Sequence, residues 1–225
     1  DSAIQGVIEK TPYRYDLKVL LVDEHSDRTL CFLGKVSLKE NATVKDLEEQ
    51  SIQLMEKAYG ENFIELMKNE ILNPLHLDKT FAEEIDLVLN DKVTFYEKNE
   101  SGDIVLCPDV NNSWKWAGGG YVSTTQDMAK FTWKVLYTDF LLPETVKEMT
   151  KSQKLPDNKK TNYGIGWRIR YDDENNPYLG HTGGSVGGTT FVFSSNDKSV
   201  ISIMANTSEA SFGKLPYQLI NIFKN

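Results

Sequence analysis

"HTGGSVGG", residues 181–188, places a histidine and a threonine ahead of four glycines, between the apolar runs "NPYLG" and "TTFVFSS". A Walker phosphate loop needs a lysine directly after its last glycine, whereas Gly188 is followed by Thr189. A dinucleotide-binding glycine motif leads from a strand into a helix, whereas this motif runs into another strand. The motif is therefore either a purely structural strand packing site, with His181 a satisfied polar residue, or one wall of a hydrolase pocket.

The composition is that of a globular protein. Of 225 residues, 40% are hydrophobic and 26% are charged, which favours one domain over 1–225 with a proper core. The formal net charge of -8 excludes nucleic acid or an anionic membrane as the main partner, because both bind a positive surface. Every apolar run is far shorter than the ~20 residues of a membrane span, so no span is predicted.

Metal and cofactor sites are not predicted. Cys31 and Cys107 lie far apart without a C-x-x-C partner, which favours two buried free thiols. His25 lies in a polar loop and His76 between two leucines, so neither is expected to join His181 in a metal site.

The first half predicts a short hairpin followed by helices. "SAIQGVIEK", residues 2–10, is predicted to be a helix that ends before Pro12. Two β-rich runs around a polar loop indicate a hairpin over 17–38. Helical periodicity then marks an amphipathic helix over 44–60 and a second helix over 61–72, the latter closed by Asn73-Pro74, within a helical region 44–150.

The second half predicts a helix capped by Ser123 or Thr124 and then an antiparallel meander. The C-terminal sheet and helix occupy 163–225, with the opening motif at the head of the second extended run. We expect the hairpin 17–38 to pair with this sheet, because the amphipathic helices need a surface on which to bury their apolar faces. A β-grasp start, hairpin then helix, is the alternative for the N-terminal part.

Three motifs in this order resemble the serine β-lactamase and penicillin-binding-protein superfamily: "WAGGGYVSTTQDMAKF" at 116–131, "YGIGW" at 163–167 and "GHTGGSVGG" at 180–188. "FIELMKNEILNPLHLDKT" is also similar to the helix and P-L-G-M connector of that family, with His76 and Leu77 in the last two places. The resemblance covers about residues 45–225 and is strongest to mitochondrial members of animals. It implies an α+β fold with an antiparallel sheet flanked by helices, shortened in its helical region.

The resemblance also implies a substrate pocket at residues 181–184. His181 would supply a polar or positive contact, the Thr182 hydroxyl would bind a substrate carboxylate, and the Gly184 amide would be an oxyanion donor beside Gly183. The ligand would be a small acyl or peptide-like molecule. A homo-oligomer is a second expected kind of partner. A mitochondrial location follows from the same resemblance. Four N-x-S/T sequons, at Asn41, Asn99, Asn111 and Asn206, keep secretion as the alternative.

The family's catalytic residues are not found. Its nucleophile is the serine of S-x-x-K after the first hairpin, and a Y-x-N element completes proton transfer. Here the hairpin leads directly into the helix, with Thr43-Val44-Lys45 at the Y-x-N place. S-x-x-K recurs only by chance at 195–198 and 211–214. We therefore predict a non-catalytic relative. The alternatives are an active serine hydrolase whose S-x-x-K segment lies outside these 225 residues, and a binding or scaffold protein.

Overall fold

Helices and antiparallel sheets make up the fold, and the α+β class is confirmed. The computed structural model describes the backbone of residues 2–11, 14–23, 28–39 and 43–223, and the side chains of 43, 45–46 and 49–222. The strands are β1 (Ser2–Thr11), β2 (Arg14–Asp23), β3 (Arg28–Lys39), β4 (Phe81–Ala82), β5 (Tyr96–Lys98), β6 (Ile104–Leu106), β7 (Tyr121–Val122), β8 (Arg168–Tyr171), β9 (Pro177–Ser185), β10 (Gly188–Ser195) and β11 (Val200–Ala205). The helices are α1 (Val44–Tyr59), α2 (Phe63–Met67), α3 (Asn73–Leu75), α4 (Thr125–Tyr137), α5 (Pro143–Thr150) and α6 (Leu215–Phe223), with a π-helical turn over Lys68–Leu72.

The N-terminal segment is a strand. The prediction of a helix over 2–10 is wrong, because β1 pairs with β2 along its whole length. The residue types explain the difference. Ile4, Val7 and Ile8 are β-branched and Gly6 is a poor helix former, so local propensity for a helix is weak and pairing with a neighbouring strand decides the outcome.

The hairpin over 17–38 does not join the C-terminal sheet, so that prediction is also wrong. Strands β1, β2 and β3 form a separate antiparallel sheet in this order, and the C-terminal strands have the order β11-β10-β9-β8. Since β1 occupies one side of β2 and β3 the other, the central strand is fully paired without the C-terminal strands. A third strand before the helix also differs from the hairpin start of a β-grasp.

Helix α1 begins and ends at residues with capping chemistry. The Thr43 side chain accepts the backbone N–H of Asp46 at 3.2 Å, and the Asp46 carboxylate accepts the backbone N–H of Thr43 at 2.7 Å. This capping box satisfies two N–H groups that lack intrahelical partners. Gly60 ends the helix with a φ of 70°, in the left-handed region.

The second predicted helix continues beyond its expected end. We predicted closure at Asn73-Pro74, but helical backbone runs through Pro74 to Leu75. The π-helical turn ends at Leu72, and Pro74 lies in the first turn of α3, where the missing N–H of a proline is tolerated. His76 then ends the helix with a φ of 55°.

The C-terminal sheet carries the core of its part of the chain. The predicted antiparallel meander and C-terminal helix are confirmed, with four strands in place of three extended runs. Tyr178, Phe191, Phe193 and Ile220 are buried together, so the aromatic side chains of β9 and β10 contact α6. Burying such side chains contributes roughly 1.5–3 kcal/mol each.

Helix α4 is capped by Thr124, one of the two predicted caps, whose hydroxyl accepts the N–H of Asp127 at 3.1 Å. The Ser123 hydroxyl instead bonds to that of Thr80 at 2.8 Å. Asp127 is 4% exposed and its carboxylate accepts the Lys79 backbone N–H and the Thr80 hydroxyl, at 2.8 and 2.9 Å. No local motif indicates that this carboxylate holds the connector after α3.

Thr124→Ala is expected to lower the free energy of unfolding by about 1 kcal/mol, because the N–H of Asp127 loses its acceptor. Urea denaturation followed by circular dichroism measures the loss. Thr125→Ala, at an exposed position one residue on, is the matched control and should change stability little. Equal losses for both variants would contradict the capping role.

The chain divides into two compact units. One comprises residues 1–76, 82–85 and 112–121, and the other comprises 77–81, 86–111 and 122–225. The second unit contains the whole C-terminal sheet. A single domain can contain two such units, so the predicted boundaries remain a prediction. Within the described ranges, no helix is both long and apolar enough to cross a membrane.

Candidate functional site

Residues 181–184, where the resemblance implies a substrate pocket, lie together on strand β9. Strand β10 pairs with β9 from Tyr178 to Ser185. On the other side, β8 reaches only as far as Gly180, which lies opposite Arg168. Residues 181–185 therefore have no strand on that side among the described residues, and we call this stretch the open edge.

The backbone of the open edge offers hydrogen-bonding groups. The turn between β9 and β10 contains two residues, 186–187. In such a hairpin the flanking residues, Ser185 and Gly188, form a hydrogen-bonded pair, and pair types alternate along the strands. Thr182 and Gly184 consequently occupy positions whose N–H and C=O groups point away from β10. The Gly184 amide thus faces the open edge.

The glycines of the motif serve different purposes. A Cβ on Gly180 would lie 2.0 Å from the carbonyl oxygen of Val192, so this position requires glycine for strand packing. Gly187 has a φ of 74° and allows the turn. A Cβ on Gly184 would meet nothing within 4 Å. The structural explanation of the motif is therefore correct for Gly180 and Gly187, and Gly184 leaves space beside the open edge.

Both ring nitrogens of His181 have partners within the protein. Nδ1 lies 2.6 Å from the carbonyl oxygen of Thr182, and Nε2 lies 2.6 Å from the hydroxyl of Tyr163. The two rings meet edge to face, with centroids 5.7 Å apart. A direct contact between His181 and a ligand would thus have to replace one of these bonds.

Arg168, at the start of β8, places its guanidinium beside Tyr163. Its guanidinium carbon lies 5.7 Å from the centre of the Tyr163 ring, and its Nε is buried without a hydrogen-bond partner among the described residues. Side chains directly opposite each other in a sheet share a face, and faces alternate along a strand. Arg168, opposite Gly180, therefore lies on the same face as Thr182, two residues further along β9.

Tyr163 and Arg168 are two further residues of the site, to which the sequence motifs assigned no role. The signal was present, since Tyr163 opens the quoted "YGIGW" and Arg168 follows it directly. Residues 163–167, predicted as part of an extended run, instead form a loop in which Gly166 has a φ of 72°. This reversal lets Tyr163 bridge to Arg168 at the start of β8.

The serines of the two S-x-x-K matches lie in structural positions. Ser195 is 2% exposed, and its hydroxyl donates to the Asp197 carboxylate within the β10–β11 turn. Ser211 is exposed, and Lys214 pairs with Asp173 at 2.5 Å. Neither match lies on the open edge.

Thr43, the first residue at the position of the family's Y-x-N element, also has a structural role, because its side chain caps α1. Among the described residues, no three His, Cys, Asp or Glu side chains cluster as metal ligands. Cys107 is a free thiol whose pKa is raised by desolvation, and the side chain of Cys31 lies outside the described residues.

A match to a protein-family model over most of the chain shows the family to which it belongs. Residues 53–222 match the family model described as Beta-lactamase. The chain belongs to the beta-lactamase family. Its relatives include "Serine beta-lactamase-like protein LACTB, mitochondrial" of Mus musculus, 28% identical over 162 residues, and that of Homo sapiens, 29% identical over 162 residues. Each match covers 61% of this chain and 29% of the relative's length.

Solved structures of beta-lactamase-like proteins share the fold. The octameric penicillin-binding protein homologue from Pyrococcus abyssi is 20% identical, with a TM-score of 0.64 over 84% of this chain and 44% of that chain. D-amino acid amidase from Ochrobactrum anthropi SV3 is 16% identical, with a TM-score of 0.60 over 84% of this chain and 60% of that chain. These structures show the shared fold, and the family match over residues 53–222 confirms the resemblance seen in the motifs.

Proposed function

We propose that this beta-lactamase family chain binds a small acyl or peptide-like ligand through its carboxylate at the open edge of β9. The observation that carries the proposal is the buried Nε of Arg168, which has no partner among the described residues and lies on the face of Thr182. An unpaired buried polar group costs free energy, and a carboxylate can accept two parallel N–H bonds from a guanidinium. A bound carboxylate would therefore satisfy Arg168.

The neighbouring groups fit the same ligand. The half-buried Thr182 hydroxyl can donate a second hydrogen bond to the carboxylate. The Gly184 amide, directed toward the open edge, can donate to an acyl oxygen, as an oxyanion hole does. Gly183 and Gly184 are exposed, so a ligand can approach the backbone closely.

The second part of the proposal is that these 225 residues bind without attacking the ligand. Support comes from the positions of Ser195, which donates to Asp197, and of Ser211, whose S-x-x-K lysine is paired elsewhere. Thr43 caps a helix at the place of the family's Y-x-N element. A chain with a binding wall but no activated nucleophile positions a ligand without forming a covalent intermediate.

We also propose a mitochondrial location, on the ground that the relatives named above are described as mitochondrial. Secretion is the alternative, and one of its sequons has a structural role. The side-chain amide of Asn206 donates to the carbonyl of Thr94 at 2.8 Å, a bond that a glycan on that nitrogen would disturb. Fractionation of cells that express the native protein distinguishes the two locations.

Benzylpenicillin and its methyl ester test the binding proposal. Calorimetry should show tighter binding of the acid by the chain, because only the acid presents a carboxylate. Arg168→Met is expected to weaken binding of the acid by at least about tenfold and to leave the ester nearly unchanged, since a charged hydrogen bond contributes roughly 1.5–3 kcal/mol.

Arg170→Met is the matched control for Arg168→Met. Its guanidinium lies on the same strand, over the rings of Phe191 and Phe193 rather than beside Tyr163. This control should bind the acid as the unmodified chain does. Equal binding of acid and ester, or an equal loss for both arginine variants, would refute the proposed carboxylate site.

A further inference from the structure

We infer that Tyr163 is a positioning residue that fixes both carboxylate-binding groups, the Thr182 segment through His181 and the Arg168 guanidinium through its ring. The inference rests on the proposed function and adds a residue to it. It also changes the expected role of His181, from a ligand contact to an internal link.

The groups that contact His181 show which of its ring nitrogens carries the hydrogen. A carbonyl oxygen only accepts, so Nδ1 must carry a hydrogen and donate to Thr182. In the neutral imidazole, Nε2 is then an acceptor, and the Tyr163 hydroxyl donates to it. The chain of donors runs from Tyr163 through His181 to the Thr182 carbonyl. The hydroxyl of Tyr163 thus stabilises the tautomer whose Nδ1–H holds that carbonyl.

This link replaces a missing strand. On the open edge, the Thr182 carbonyl points away from β10 and has no neighbouring strand among the described residues to donate to it. The His181 ring supplies the donor instead, at 2.6 Å. The peptide between Thr182 and Gly183 is therefore held on a side where strand pairing is absent, next to the Gly184 amide.

Tyr163 is itself held from several sides. Its carbonyl accepts the Gln153 backbone N–H at 2.8 Å, and its own N–H donates to the Thr161 hydroxyl at 3.2 Å. It also bridges to the backbone of Arg168, whose guanidinium lies over its ring. An anchored side chain transmits its position to its partners, so one tyrosine orients both groups that we propose to hold the carboxylate.

Tyr163→Phe removes only the hydroxyl and tests the inference in two ways. With isotope-labelled chain and no ligand, the NMR order parameters of the Gly183 and Gly184 amides should fall from about 0.85 toward 0.6. Those of Phe191 and Phe193 in the core should not change. Affinity for benzylpenicillin should fall about fivefold, and affinity for its methyl ester less than about twofold, since one hydrogen bond is lost indirectly.

Tyr171→Phe, at a half-exposed tyrosine of the same strand β8, is the control and should leave both measurements unchanged. Unchanged order parameters at Gly183 and Gly184 in Tyr163→Phe would overturn the inference, even if Arg168→Met confirms the carboxylate site. A uniform loss of order that includes Phe191, with equal loss of acid and ester binding, would also overturn it, because that result indicates a merely structural tyrosine. If the unmodified chain binds neither compound, the proposed function fails, and the order parameters still decide whether Tyr163 positions the open edge.

Discussion

Gly180→Ala is expected to lower the free energy of unfolding by about 3 kcal/mol, the upper part of the usual range for overpacking a core. The new Cβ would lie 2.0 Å from the carbonyl oxygen of Val192 and 2.6 Å from the Cα of Phe193. Both atoms belong to the backbone of β10, so no side-chain rotation relieves the contact. The two strands must separate, and the core around Phe193 must open with them. Urea denaturation followed by circular dichroism measures the change.

Gly184→Ala is the matched control for Gly180→Ala. It places the same methyl group four residues further along β9, where nothing lies within 4 Å. Its effect on stability should stay within about 0.5 kcal/mol, as for most surface substitutions. If the two variants lost equal stability, the close approach of β9 and β10 at Gly180 would be wrong, and the cost would have to come from the loss of glycine flexibility in a strand.

Local sequence patterns predicted most of the helices because each carries its own signals. Helix α1 has Thr43 at its start and Gly60 at its end, and α4 has Thr124 as a cap ahead of an amphipathic stretch. Such signals act over a few residues, so they can be read without the rest of the chain. The C-terminal strands could also be predicted from local signals, because apolar residues alternate along them between polar turns.

The N-terminal part could not be predicted in the same way. Residues 2–10 have only a weak propensity for a helix, and their conformation is decided by pairing with β2. Likewise, nothing local in the hairpin 17–38 says which sheet it joins. Strand pairing is a property of the tertiary structure, and the period of side chains alone does not specify a partner.

The position of residues 181–184 on a strand could be predicted, but the contacts of their side chains could not. Their position on a strand followed from the motif, and the structure confirms it for residues 181–184. The role of His181 depends on which groups meet its two nitrogens, and Tyr163 lies 18 residues earlier in the chain. Arg168 could not be recognised from sequence. Its importance comes from a buried Nε without a partner among the described residues and from the face it shares with Thr182, and both depend on three-dimensional neighbours.

Neither benzylpenicillin nor a fluorophosphonate probe is expected to add covalently to the 225-residue chain. Acyl transfer by the route of this family needs a nucleophile, a base and an oxyanion hole. Loss of the serine alone lowers the rate of a serine hydrolase by about six orders of magnitude. His181, Thr182 and the Gly184 amide can bind and orient an acyl group, but none of them is an activated nucleophile. Intact-protein mass spectrometry after incubation should therefore show only the mass of 25.6 kDa.

The serines of the two S-x-x-K matches make the covalent-labelling test specific, because each can be replaced by alanine. Ser195 is buried and donates to Asp197, so it presents no free hydroxyl to a probe. Ser211 is exposed, and Lys214 pairs with Asp173 rather than with Ser211. An active penicillin-binding protein treated in parallel establishes that the probes react. Stoichiometric labelling that disappears in Ser195→Ala or Ser211→Ala would show that one of these serines is activated after all. Labelling at another serine would identify a nucleophile at that position, and either result would refute binding without attack.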